Sequence, residues 1–132
     1  TLQMVVNRAI EEWAGGGWWL QIAGFAYRHD PKAGTATDLT LLTPDGPRPI
    51  RPDETLLAVV NTYLINPKRG QNGYTMLSEN MLVSPNEDMP DLKLVSIAAL
   101  RAAGADGIAP KVVGRICNTG KPGPCLAIPA TK

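Results

Sequence analysis

The run from Val60 to Tyr74 constrains this chain more than any other, because an apolar stretch there meets a cluster of residues that regular structure cannot pass through. Leu56 to Leu64 has the β-branched and apolar composition of a buried strand, whereas Asn66, Pro67, Gly70, Asn72 and Gly73 forbid its continuation. The pattern predicts a central strand over 56–64 that ends in a loop bounded by Gly70 and Gly73. In layered α/β folds ligands are held at strand ends, which directs attention to Tyr63 at the end of the strand and Asn72 in the loop.

The flanking segments change period. Leu2, Val5, Val6, Ala9, Ile10 and Trp13 recur at helical spacing with Gln3, Asn7, Arg8, Glu11 and Glu12 largely opposite, and Thr1 can cap the start, so a helix is predicted over 1–13. Gly15, Gly16 and Gly17 then allow a sharp reversal. Trp18 to Tyr27 reads as a strand and Arg28 to Gly34 as its turn, which makes His29 a solvated histidine; Trp18, Trp19 and Phe25 read as core and Gln21 as a buried hydrogen-bonding residue. A further strand over 36–42 leads into a hairpin-like turn at Thr43-Pro-Asp-Gly-Pro47, and Pro47, Pro49 and Pro52 place 47–53 at a sheet edge or in a connection.

Thr75 to Val83 is equally a short strand or a loop. Asp91 caps a second helix over 92–103, with Gly104 at its C-terminal cap. Ile108 to Ile116 is a loop entering a short extended piece, and 117–132 is a Gly/Pro-rich tail outside the core. Two helices, several strands and no βαβ alternation predict an α+β domain over 1–116, a mixed β-sheet packed with two main helices.

At 132 residues and 44% hydrophobic content the chain suffices for one domain with a sizeable core. Its net charge of +1, with acids and bases interspersed, speaks against a nucleic-acid partner and a membrane surface, and no apolar run reaches the length of a membrane span. One histidine and two cysteines cannot assemble a zinc or binuclear site, so no cofactor is expected in this chain. Gly-x-Ser-x-Gly and phosphate-loop motifs are also lacking, and the chain by itself is expected to be inactive. A first residue of Thr rather than Met leads us to expect processing or truncation. The turn-rich spacer between Cys117 and Cys125 is able to bring the two together as a disulfide in an oxidising compartment.

Four separated stretches, read together, resemble the C-terminal domain of the 5'-nucleotidase family, two-domain metallophosphatases that include UDP-sugar hydrolases and cyclic-nucleotide phosphodiesterases. Trp19-Leu-Gln-Ile-Ala-Gly-Phe25, with Tyr27 and Asp30, resembles an aromatic-x-Gln-Val-x-Gly segment followed by an aromatic and an Asp. Pro49 with Pro52-Asp-Glu-Thr55 resembles the pattern that leads into a hydrophobic strand. Asn61-Thr-Tyr-Leu64 with Gly70-Gln-Asn-Gly-Tyr74 is similar to an aromatic-Leu segment and a Gly-Gly-Asp-Gly-aromatic loop, and Ile108-Ala-Pro110 with Gly114-Arg-Ile116 to a closing signature. The match spans residues 1 to about 116. It departs from the family in Gln71 and Asn72, which stand where the loop has Gly and Asp, and in an Asn66 to Arg69 stretch about three residues longer.

The resemblance implies a domain truncated at its N-terminal side, in a periplasmic or secreted protein. It would hold the nucleoside part of a nucleotide substrate while an N-terminal metallophosphatase domain, with two divalent metal ions, hydrolyses the phosphate ester. It makes Tyr63 a stacking wall for the base, Asn72 a ribose contact, and Gly70 and Gly73 the points where loop backbone approaches the ligand. From the residues alone, Tyr63 reads first as a core tyrosine, and Asn72 reads equally as a turn residue tolerant of left-handed backbone. A binding module that kept the fold and lost nucleotide recognition is the alternative, supported by the altered loop.

Overall fold

The computed structural model describes residues 1–11, 17–66, 73–84 and 90–128. It is a mixed α+β domain built on a four-stranded sheet. The elements in chain order are α1 (Leu2–Ile10), β1 (Phe25–Asp30), β2 (Thr35–Thr43), β3 (Gly46–Pro49), α2 (Thr62–Ile65), α3 (Leu92–Ala103) and β4 (Ile116–Asn118), with single 3-10 turns at Glu79–Met81 and Gly104–Asp106. The sheet order is β3-β2-β1-β4, antiparallel except for the parallel β1/β4 pair.

α1 organises the core because its apolar positions fall on two adjacent stripes. Val5 and Ala9 join Leu64 and Tyr74 in one cluster, while Val6 and Ile10 join Tyr27 and Ala36 in the other. Residues four apart lie one above the other on a helix, so a single helix feeds both clusters. Its polar residues contribute too: Gln3 Nε2 donates to the Ala36 carbonyl at 2.9 Å, and Asn7 Oδ1 accepts from the Ala36 amide at 3.0 Å. Gln3 and Asn7, which helical spacing assigns to the outer face, thus clasp the start of β2.

Trp18 to Gly24 is not part of the strand predicted over 18–27. Trp18 and Leu20 pack on the first cluster, and Trp19, Ile22 and Phe25 on the second, so the apolar residues bridge two clusters instead of facing a ladder. Gln21 is exposed rather than buried. β1 starts only after Gly24, whose φ of +80° turns the chain into the sheet. It continues through Arg28, His29 and Asp30, so His29 is a sheet residue only 2% exposed and not the solvated turn residue its neighbours predict. A bulge opposite Ala26–Arg28 places Asp38 at φ +53°, a left-handed position that Asp tolerates.

Thr43 to Gly46 closes the β2/β3 hairpin, and Pro47 and Pro49 lie on the edge strand, where a missing amide donor costs least. The central strand predicted over 56–64 is absent. Leu57 and Val59 are 82% and 80% exposed, and Thr62–Ile65 is a helical turn with Asn61 Oδ1 accepting from the Leu64 amide at 3.1 Å. Neither sheet edge suits another strand, since β3 carries two prolines and β4 is three residues long.

α3 forms as predicted, with Asp91 accepting from the Lys93 and Leu94 amides and Gly104 at its C-cap. It does not pack as predicted, for none of its residues is buried. Only α1 fulfils the expectation of a main helix on the sheet. At the other boundary β4 runs across residue 116, and Cys117, assigned by sequence to a tail outside the core, is buried beside β1.

Candidate functional site

Of the four candidate ligand-contacting residues, the structure describes Tyr63 and Gly73; Gly70 and Asn72 lie outside the described residues. Tyr63 sits in α2, 38% exposed, next to the buried pair Leu64 and Ile65. One helical turn explains the contrast, because successive side chains project about 100° apart and only part of its circumference meets the core. Leu64 packs with Tyr74, Val5 and Ala9. The two ends of the 66–73 connection are therefore held in one cluster.

Tyr74 fastens the far end. Its ring is fully buried, its hydroxyl donates to the Trp18 carbonyl, and burial raises its pKa to about 12 even though the Arg8 guanidinium favours the anion. Gly73 has a φ of +79°, and a Cβ built on it would lie 2.5 Å from Arg8 Nε. The residue must be glycine for its conformation, and it is also where Arg8 crosses the backbone.

Arg8 lies 4.7 Å from the centre of the Trp18 ring and pairs with Glu11. Half-buried Arg8 and Trp18 thus form a cationic and aromatic border at Gly73. Arg8 was not among the residues that sequence identified. Its helical position assigned it to solvent, and the only available signal was that it falls one residue short of the i, i+4 partner of Val5, on the rim of the apolar stripe.

The donor set for metals is sparse. Among the described residues no three His, Cys, Asp or Glu side chains gather where they could hold an ion. No helix is long and apolar enough to cross a membrane among those residues.

Cys117 and Cys125 are joined in a disulfide with Cα atoms 4.9 Å apart. Gly114, at φ +73°, lets the returning chain approach: a Cβ there would stand 2.7 Å from the Pro124 carbonyl oxygen, and the Leu126 amide donates to the Gly114 carbonyl at 3.0 Å. The resemblance cast this glycine as part of a closing signature, and the structure gives it a packing reason. No family model, curated protein or solved structure matches the chain. The class that the fold defines is a mixed α+β domain.

Proposed function

We propose that this chain is the nucleoside-holding part of a 5'-nucleotidase-type metallophosphoesterase. Tyr63 stacks on the base, Asn72 meets the ribose, and Gly70 and Gly73 give the loop its backbone freedom. The observation that carries this reading is an exposed Tyr63 anchored through buried Leu64 to the same cluster as Tyr74, which holds the end of the ligand loop. A large aromatic left at the surface by a fixed neighbour presents a face for stacking, a contact worth about 1 to 3 kcal/mol per base.

The metal ions and the hydrolytic step belong to a separate N-terminal domain. This chain holds the leaving nucleoside in place, which lowers the entropic part of the barrier. The exposed apolar residues of α3, with Leu57 and Val59, supply surface for that domain. The disulfide supports an exported, periplasmic or secreted protein. The same apolar surface favours the second reading, a module that binds protein and has lost nucleotide recognition.

The test is binding of AMP and of phosphate alone to the chain, followed by calorimetry. AMP is expected to bind, phosphate is not, and Tyr63→Ala should weaken AMP by about 1 to 3 kcal/mol while Tyr63→Phe stays near wild type. Asn72→Asp should tighten AMP by up to about 1 kcal/mol through a charge-assisted bond. Equal affinity for AMP in wild type and Tyr63→Ala would return this residue to a packing role.

A further inference from the structure

Thr55 to Asn61 has the composition of a strand and the environment of a loop. Leu57 and Val59 stand out into solvent and Val60 is 39% exposed, and among the described residues no hydrogen bond joins the backbone of 55–60 to another group of the chain. No charged residue lies between Glu54 and Lys68, and Glu54 is already paired with Arg48. Unpaired backbone donors and acceptors beside apolar and β-branched side chains, with no proline, glycine or charge to keep a neighbour away, are the conditions under which a segment adds to another strand. Within the chain there is no edge for it to join, because β3 carries two prolines and β4 is three residues long.

We propose that residues 55–61 pair antiparallel with the same residues of a second copy, about a two-fold axis at Ala58. The segment is symmetric in character about that residue. Leu57 faces Val59 of the second copy, Leu56 faces Val60, and Thr55 faces Asn61, so apolar residues meet apolar ones and polar residues meet polar ones throughout. Moving the axis by one residue in either direction sets Thr55 opposite Val59 or Leu57 opposite Asn61, which selects the register. A two-fold pairing uses the same patch on both copies and closes at two.

Strand pairing takes up the backbone edge. The exposed residues Leu57 and Val59 of both copies then lie on one face of the ribbon, which remains available to an N-terminal domain. The pairing goes beyond the proposed function and does not depend on nucleotide binding.

The experiment is sedimentation velocity of the folded, oxidised chain across a wide concentration range. The wild-type chain should pass from monomer to dimer as concentration rises. Ala58→Pro removes an amide at the axis without breaking a bond within the chain, and should raise the dimer dissociation constant about tenfold or more. Leu57→Lys combined with Val59→Glu sets opposite charges against each other across the axis and should still dimerise. Leu57→Lys combined with Val59→Lys removes the same apolar side chains but opposes like charges, and should stay monomeric. Open-ended oligomers, equal association of the two double variants, or a dimer indifferent to Ala58→Pro overturns the assignment. A monomer at every concentration also overturns it and leaves the segment to the N-terminal domain.

Discussion

Tyr27 and His29 project from the same face of β1 into the core with Trp19 nearby, their rings 6.1 Å apart, and each carries polar atoms into apolar surroundings. The Tyr27 hydroxyl is buried without a hydrogen-bond partner, and its pKa is strongly raised, first by burial and then by the neighbouring Tyr74. A buried donor with nothing to bond costs about 1 to 3 kcal/mol, so Tyr27→Phe should leave stability unchanged or raise it by about 1 kcal/mol in urea unfolding. His29 has its pKa lowered, chiefly by burial, with Asp30 partly opposing. The unfolded histidine takes up its proton near the ordinary 6.5 and the folded one only at lower pH. Its contribution to stability is therefore complete above about pH 6.5 and is lost as the pH falls toward the folded value. The urea midpoint should fall between pH 7.5 and pH 5, and His29→Phe should remove that part of the slope. Sequence put His29 in a turn because Asp30 and Pro31 follow it; pairing of β1 with both β2 and β4 extends the strand over it.

At the scale of elements, α1 is held to β2 by directional bonds as well as by its apolar stripes. Asn7→Ala removes the acceptor for the Ala36 amide, and with Gln3 also losing its 2.8 Å bond to Asn7, about 1 to 2 kcal/mol of stability should be lost. A loss below about 0.3 kcal/mol in thermal unfolding would show that water replaces the clasp. β3 is tied to the following connection by the Arg48–Glu54 pair, in which Glu54 is held down to about 2, first by its hydrogen bond to Arg48. This support is present above the ordinary 4.5 and fades as the pH falls toward about 2, a second acid-sensitive step distinct from that of His29. α2 shows why the predicted strand failed. Asn61 offers its side chain to the Leu64 amide, and a local cap competes with a ladder that has no edge to join.

Across the whole molecule, buried contacts concentrate in α1 and the sheet, while α3 and the 55–60 segment carry apolar side chains at the surface. A twelve-residue helix is marginal in water without packing, whatever the quality of its caps. Hydrogen exchange on the isolated chain should accordingly protect the amides of α1, β1 and β2 most and those of α3 least; equal protection would mean that α3 has found a surface to pack on. Adding the metallophosphatase domain of the proposed function should raise protection in α3.

The sequence by itself determined what depends on neighbours within a few residues: the helical stripes of α1 and α3, the Asp91 and Gly104 caps, the Thr43–Gly46 hairpin and the prolines at the edge. Only tertiary structure decided the rest. The Leu56–Leu64 run has a strand's composition, but a strand needs a partner edge, and the available edges carry prolines or end after three residues. Trp18 to Phe25 alternates as a strand would, yet its residues serve two clusters divided by α1, an arrangement that depends on where the helix lies. Of the candidate site, Tyr63 and Gly73 were legible as residue types at a chain break. That Leu64 and Tyr74 share one cluster, and that Arg8 crosses Gly73, follows from contacts between residues far apart in the chain, which periodicity does not encode.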